Sequence, residues 1–295
     1  MGRDRLLIIL AFFTTYFVWG ATYLANYWAI DSIPVFGMGA TRFLFAGFLL
    51  YGYTVLRGDR TLPRGRYLLN SGIIGVLLLS VGTGAVVWAQ QYIPTSTTSL
   101  IIAFEPLVVM MMMWLVLDSR PSVKAFVGAF VSICGMALLI SQPIAIGGAE
   151  SIKGLIGIVS GMLCWGAGML LRQRLDLGPN RVRATAMQMI VAGLFLGIFS
   201  LSLNEWDGWS YTQITARSAY SWLFLVVFGS IAAFTAFNYL LGKVSADKVS
   251  TNTYVNPVVA VMLGGLFNGE VISAQSMVAG AVLLAGVYFI NSAKH

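Results

Sequence analysis

The chain has 295 residues, 58% of them hydrophobic and only 10% charged, whereas a soluble domain carries roughly 25% charge. This composition excludes an ordinary soluble fold and points to a membrane protein, long enough for about ten crossings of about 20 apolar residues each and leaving no room for a soluble domain. A net charge of +7 would suit nucleic acid only if the cations served no other purpose, and their placement gives them one.

Charged residues divide the chain into apolar windows, which predict the spans. Leu6 to Ile30 carries no charge and predicts helix 1, a retained first span longer than the ~7–15-residue core of a signal peptide. Arg42 is the single charge in the window of helix 2, from about Val35 to Leu56, and the basic loop Arg57 to Arg66 follows. The uncharged run Tyr67 to Phe104 is too long for one crossing and is divided near Tyr92 to Ser96, where Pro94 disfavours a continuous helix. Helix 4 then continues through Glu105 to Leu117, and helix 5 covers about Val123 to Ile140. After a Gly-rich loop from Pro143 to Glu150, helices 6 to 10 are expected at Ile152–Leu171, Ala184–Leu203, Ala219–Leu241, Val249–Phe267 and Val271–Ile290.

Ten crossings put both termini on one side. Fifteen of the 18 Lys and Arg fall on that side, only Lys153 and Arg217 fall opposite, and Arg42 lies within a span. The positive-inside rule therefore places both termini in the cytoplasm, the membrane being the cytoplasmic (inner) one. Anionic headgroups account for the basic balance, so no nucleic acid is called for. Cys134 and Cys164 lack metal or redox spacing and read as buried thiols.

The two halves carry related segments in the same order. Trp19-Gly20-Ala21 recurs as Trp165-Gly166-Ala167, Phe104-Glu105-Pro106-Leu107-Val108 faces Val255-Asn256-Pro257-Val258-Val259, and Gly135 faces Gly286. The expected division is a five-helix repeat over 1–142, a linker over 143–151 and a second repeat over 152–295. An odd number of crossings per unit makes consecutive copies enter the membrane in opposite orientation, which places a substrate site near mid-depth between them. The alternative is chance similarity among helices rich in Gly, Trp and Val.

With these segments in view, the chain resembles the drug/metabolite transporter superfamily, specifically EamA-type ten-helix exporters of the YedA-like branch. The likeness runs through Trp19-Gly20-Ala21-Thr22-Tyr23, Thr41-Arg42-Phe43 and Ser80-Val81-Gly82-Thr83-Gly84. Its most specific stretch is Tyr254 to Val261, with Gly269-Glu270 after it. The resemblance implies an all-α inverted five-plus-five bundle with a central cavity that moves small metabolites or drugs, often amino acids, usually outward. It does not fix the substrate. Nor does it require a carboxylate at 105, where the second repeat has Asn256, so it implies no proton coupling.

Ionisable groups inside a span are costly, by ~2.5–3.5 kcal/mol on insertion scales, so Arg42 and Glu105 lead the candidates. Glu105 precedes Pro106, which cannot donate a backbone hydrogen bond and frees a carbonyl near Ile102. The carboxylate is a candidate for a substrate ammonium or a coupling proton; the other reading is a structural partner of Arg42 or of nearby hydroxyls, or a permanently protonated carboxyl. Arg42 suits a substrate carboxylate, against a snorkelling or structurally paired arginine. Trp19, Thr22, Tyr23, Trp88, Gln90, Trp165, Asn238, Tyr239, Thr253, Tyr254, Asn256 and Pro257 complete the translocation candidates. Aromatic rings can enclose an organic cation and amides can orient it, although for single Trp or Tyr residues an interfacial belt is the competing role. The run Met110 to Met113 is assigned to packing and to no site.

Gly157 and Gly161, Gly193 and Gly197, and Gly265 and Gly269 have a spacing that favours close packing of helices within the chain. An enzyme would need a nucleophile, base or metal constellation, whereas the only histidine is the terminal His295 and no HExxH occurs. The expected partners are a small-molecule substrate, a proton as candidate coupling ion, and the bilayer. No cofactor, metal or obligate protein partner is called for. Exporters of cationic drugs or lipid-like compounds, and passive channels, remain as alternatives.

Overall fold

The computed structural model describes residues 3–61, 64–118, 120–141, 149–240, 242–244, 249 and 252–292. The described residues are helical, without a strand. Among the described residues seven helices are long and apolar enough to cross a membrane: α1 (Asp4–Ala29), α2 (Val35–Leu56), α3 (Arg66–Ala89), α4 (Thr95–Val116), α6 (Ala149–Arg172), α7 (Arg181–Ser202) and α8 (Ala216–Leu240). Three shorter apolar helices accompany them, α5 (Val123–Ile140), α9 (Asn252–Asn268) and α10 (Ala274–Ser292). Large apolar side chains such as Phe48, Leu115, Phe130 and Ile198 are exposed on the outside. A bilayer has no water to bond the backbone, so helices that satisfy their own N–H and C=O groups are the expected solution.

The windows read from the sequence agree with these helices to within about three residues at their ends, and α2 and α5 match at both. Helix 4 differs. It is interrupted at Ala103–Phe104 and resumes at Glu105, because Pro106 cannot continue the ladder. Most of the linker expected at 143–151 lies outside the described residues, as do Lys248, Lys294 and His295. Cys134 is exposed and Cys164 only partly buried. This corrects the reading of both as buried thiols, because apolar neighbours in sequence can face lipid as readily as a protein core.

Glycines set the closest helix contacts. Gly47 and Gly193 let α2 and α7 meet, backbone against backbone, while Gly128, Gly135 and Gly286 do the same for α5 and α10. Gly157 and Gly161 press α6 onto α3 at Trp88, Ala85 and Gly82, as the intramolecular reading expects. Gly269 is different: it has φ +63° and open space around it, so it ends α9 rather than packing a helix.

The connections gather at two ends. At one, Trp209 donates to the Ser32 carbonyl at 2.9 Å, Ser218 to the Trp28 carbonyl at 2.7 Å, and Arg217 pairs with Asp31 at 3.0 Å. At the other, Arg183 pairs with Asp59 at 2.6 Å, Arg66 with Asp176 at 3.1 Å and Lys243 with Asp4 at 3.7 Å. Hydrogen bonds from Thr61 and Asn180 hold the Asp59 carboxyl down at about 2. The Asp59 tie thus keeps its charge through the neutral range and loses it only as pH falls through that value.

The close contact between α3 and α7 yields a test. A Cβ at Gly75 would sit 2.3 Å from the Gln188 carbonyl oxygen, whereas one at Gly52 meets nothing within 4 Å. Gly75→Ala is expected to cost about 1–3 kcal/mol, read as a lowered Tm in detergent. Gly52→Ala should leave Tm unchanged or slightly raised.

Candidate substrate cavity

Three helices carry widened π-helical stretches, at Thr14–Val18 in α1, Val76–Thr83 in α3 and Leu225–Ala232 in α8. Such stretches shift the helical phase and expose carbonyls, and they recur at functional sites. The α3 and α8 stretches and the break in α4 line a cavity of about 820 Å³, which α1 joins from Trp19, just past its own stretch.

Arg42 reaches this cavity from α2 and is only 5% exposed, so it does not snorkel to an interface. Its Nε donates to the Ser230 hydroxyl at 2.8 Å and its Nη1 to the Asn26 side-chain oxygen at 3.0 Å, and its guanidinium lies 4.9 Å from the centre of the Phe43 ring. Gly229 leaves room for the remaining terminal nitrogen, since a Cβ there would stand 3.1 Å from Nη2. Both hydrogen-bond partners are neutral, and no carboxylate among the described residues pairs with Arg42. Glu105 lines the same cavity at the start of the second α4 segment and makes no hydrogen bond or ion pair among the described residues. The two ionisable groups therefore share a cavity without pairing, contrary to the reading of Glu105 as a structural partner of Arg42.

The cavity brings together Trp19, Thr22, Tyr23, Arg42, Glu105, Pro106, Trp165, Thr253, Asn256 and Pro257 from the sequence candidates. Trp19 meets Trp165 edge-on at 6.0 Å and donates to the Gly229 carbonyl at 3.4 Å. With its amide oriented to satisfy both ends, Asn256 donates to the Tyr16 carbonyl at 2.7 Å beside the π-helical turn of α1. Four candidates lie outside the cavity. Trp88 packs edge-on against Tyr92 at 5.0 Å, and Gln90 donates from a buried position to the Tyr23 carbonyl at 2.9 Å. Asn238 accepts from Arg172 at 2.9 Å, and the Tyr239 ring lies 5.9 Å from the Lys243 ammonium. These four tie helices or cover an end, because the helical period turns them away from the cavity face. The side chain of Tyr254 lies outside the described residues.

Sequence reasoning passed over Asn26 and Ser230, which hold Arg42, and over the methionines. Met110 and Met113 line the cavity together with Met162, Met169 and Met189, and Phe234 and Phe237 join them. The assignment of the Met110–Met113 run to packing alone is thereby corrected. The signal was the helical period: Pro106, Val109, Met110 and Met113 share one face of α4, and Trp19, Thr22, Tyr23 and Asn26 share one face of α1.

The model of the EamA-like transporter family matches this chain twice, over residues 6–141 and 152–292. The chain belongs to the EamA-like transporter family. It is a multi-pass membrane transporter, and the family is one of transporters rather than enzymes. It is 34% identical to the inner membrane transporter YedA of Escherichia coli (strain K12), over 99% of this chain and 93% of that protein. It is also 23% identical to a probable terminal-alkyne amino-acid exporter of Streptantibioticus cattleyicolor, covering 94% and 91% of the two chains. A solved crystal structure shares the fold at a TM-score of 0.71 with 15% identity, over 96% of this chain and 95% of the other.

A cavity serving an EamA-like transporter should hold water. In a protein with Cys134 and Cys164 replaced by serine, Met113→Cys on the cavity wall should react with a membrane-impermeant thiol reagent. Leu115→Cys, exposed on the lipid-facing side of the same helix, should not. Equal reactivity at both positions would count against a hydrated cavity.

Proposed function

We propose that this protein is an alternating-access exporter of small organic zwitterions, amino acids foremost, built as an inverted repeat of 1–142 and 152–295 around the 143–151 linker. Both termini lie in the cytoplasm, and the membrane is the inner one. The observation that carries this reading is that Arg42 and Glu105, two ionisable groups not paired with each other, stand on the walls of one cavity. A buried guanidinium with a free donor edge fits a carboxylate, and an unpaired carboxylate fits an ammonium or a coupling proton. The twofold family match supports the repeat, as does the way α2 packs on α7 and α5 on α10, each helix against its counterpart. The distribution of Lys and Arg supports the orientation, and the named activity of the Streptantibioticus relative is consistent with amino-acid export.

A second reading rests on the apolar part of the cavity lining. Five methionines with Trp and Phe rings make a soft apolar surface able to take cationic drugs or lipid-like compounds. A passive channel through the same cavity is separated from a carrier by saturable flux and counterflow.

Proteoliposomes loaded with amino acids, nucleosides and cationic drugs, with and without a pH gradient, test these readings. Saturable efflux confined to amino acids is expected. Arg42→Gln should raise the half-saturating concentration about tenfold or more for substrates with a carboxylate, since a charged hydrogen bond contributes about 1.5–3 kcal/mol, and should change little for their decarboxylated amines. Glu105→Gln should abolish pH-driven transport yet spare counterflow if Glu105 carries the proton, and weaken both if it binds the ammonium. Efflux of cationic drugs alone would transfer the assignment to the second reading.

A further inference from the structure

Helices α2 and α4 start directly after Pro34 and Pro94, and neither has a side-chain cap of its own. A helix leaves its first N–H groups without internal partners, and such orphans are costly in apolar surroundings. Both starts are capped from the other half of the chain. Glu205 accepts from Phe36 N at 3.1 Å, Gly37 N at 3.0 Å and the Ser200 hydroxyl at 2.6 Å. Glu270 accepts from Thr95 N at 3.0 Å and its hydroxyl at 2.6 Å through one oxygen, and from Ser96 N at 2.9 Å and the Ser96 hydroxyl through the other. Asn268 donates to Glu270 at 3.3 Å and accepts from Trp28 at 3.2 Å, which draws α1 into the same knot.

Both caps lie at one end of the cavity. Towards that end the lining stops at Asn26, Val87 and Ser99, short of the helix termini, whereas at the other end it reaches Asn252 and Ser292 at the ends of α9 and α10. Burial works against the Glu270 carboxylate, but hydrogen bonds from Ser96 and Thr95 outweigh it and hold its pKa below the ordinary value. Among the described residues no charged side chain contributes to these surroundings: what faces Glu270 is Thr95 and Ser96 from α4, Asn268 from α9 and, through Asn268, Trp28 from α1.

We propose that Glu270, together with Glu205, is the latch of the closed end of the cavity, a positioning residue that sets how often the cavity opens there. This rests on the alternating-access reading, and placing the closed end outside the cell rests on the proposed orientation. A carboxylate that accepts from two backbone N–H groups and two hydroxyls holds α9 against α4. Opening at this end separates those elements and exposes the first turn of α4. A neutral carboxyl has one fewer set of acceptor lone pairs and holds less firmly, so the latch loosens as external pH falls through the Glu270 pKa.

A single cysteine at Val87, in the protein with Cys134 and Cys164 replaced by serine, reports opening. Right-side-out and inverted vesicles are labelled with a membrane-impermeant maleimide. Glu270→Gln turns an amide towards N–H donors and is expected to raise labelling from outside about tenfold, equivalent to about 1.4 kcal/mol. Ser96→Ala, which removes one hydroxyl and keeps the carboxylate, should raise it less, and it serves if Glu270→Gln does not fold. External acid should raise labelling in the parent and not in Glu270→Gln. A rise seen only in inverted vesicles keeps the latch and rejects the orientation. Unchanged labelling from both sides in folded Glu270→Gln or Ser96→Ala protein overturns the latch, even where Tm falls.

Discussion

A bilayer interior supplies no hydrogen-bond partner, so every polar group at depth must find one within the chain or line a wet cavity. Most of this protein meets that demand with continuous helices. Among the described residues the exceptions are local: the π-helical stretches of α3 and α8 and the break before Glu105 line one cavity, and the stretch of α1 lies just before its lining residue Trp19. Ser230, held on the widened stretch of α8, is available to Arg42 for that reason. The Tyr16 carbonyl is presented to Asn256 by the widened turn of α1. Irregular backbone is tolerated at depth where it borders a cavity, and here it positions the side chains that border it too.

The same demand explains the character of the cavity. Arg42 is buried with two neutral partners, which orient a guanidinium without neutralising it. Glu105 stands elsewhere on the wall and forms no ion pair among the described residues. A pair in contact would be largely self-satisfied; held apart, both groups remain exposed to the cavity. The apolar remainder of the wall, methionine and aromatic, adapts to varied shapes, in keeping with a family of transporters.

At the closed end the constraint appears again as orphan N–H groups. Proline begins α2 and α4 but caps neither, and in each case a carboxylate from the second half supplies the acceptors. Helix starts that depend on another part of the chain couple the integrity of a helix to the closure of a gap. By contrast, the ties described at the other end are ion pairs between helix ends and connecting loops, such as Arg183 at the start of α7 with Asp59.

The amino-acid order by itself determined the membrane class, the ten apolar windows, nearly all their boundaries, and the two costly charges, because hydropathy and charge placement are local properties of the chain. The recurring segments were legible for the same reason, and the family model matches the chain twice, over 6–141 and 152–292. What it could not determine was facing. Trp88, Gln90, Asn238 and Tyr239 are as polar or aromatic as Trp19 and Thr22 but turn towards other helices, while Met110 and Met113 turn inward. The π-helical stretches shift the helical phase, so a face counted at 3.6 residues per turn drifts beyond them. Asn26 and Ser230 became partners of Arg42 only when α1, α2 and α8 met, and Glu270 became a cap only when the end of α9 reached the start of α4. Those contacts join residues far apart in the chain, and only tertiary packing decides which distant groups satisfy one another.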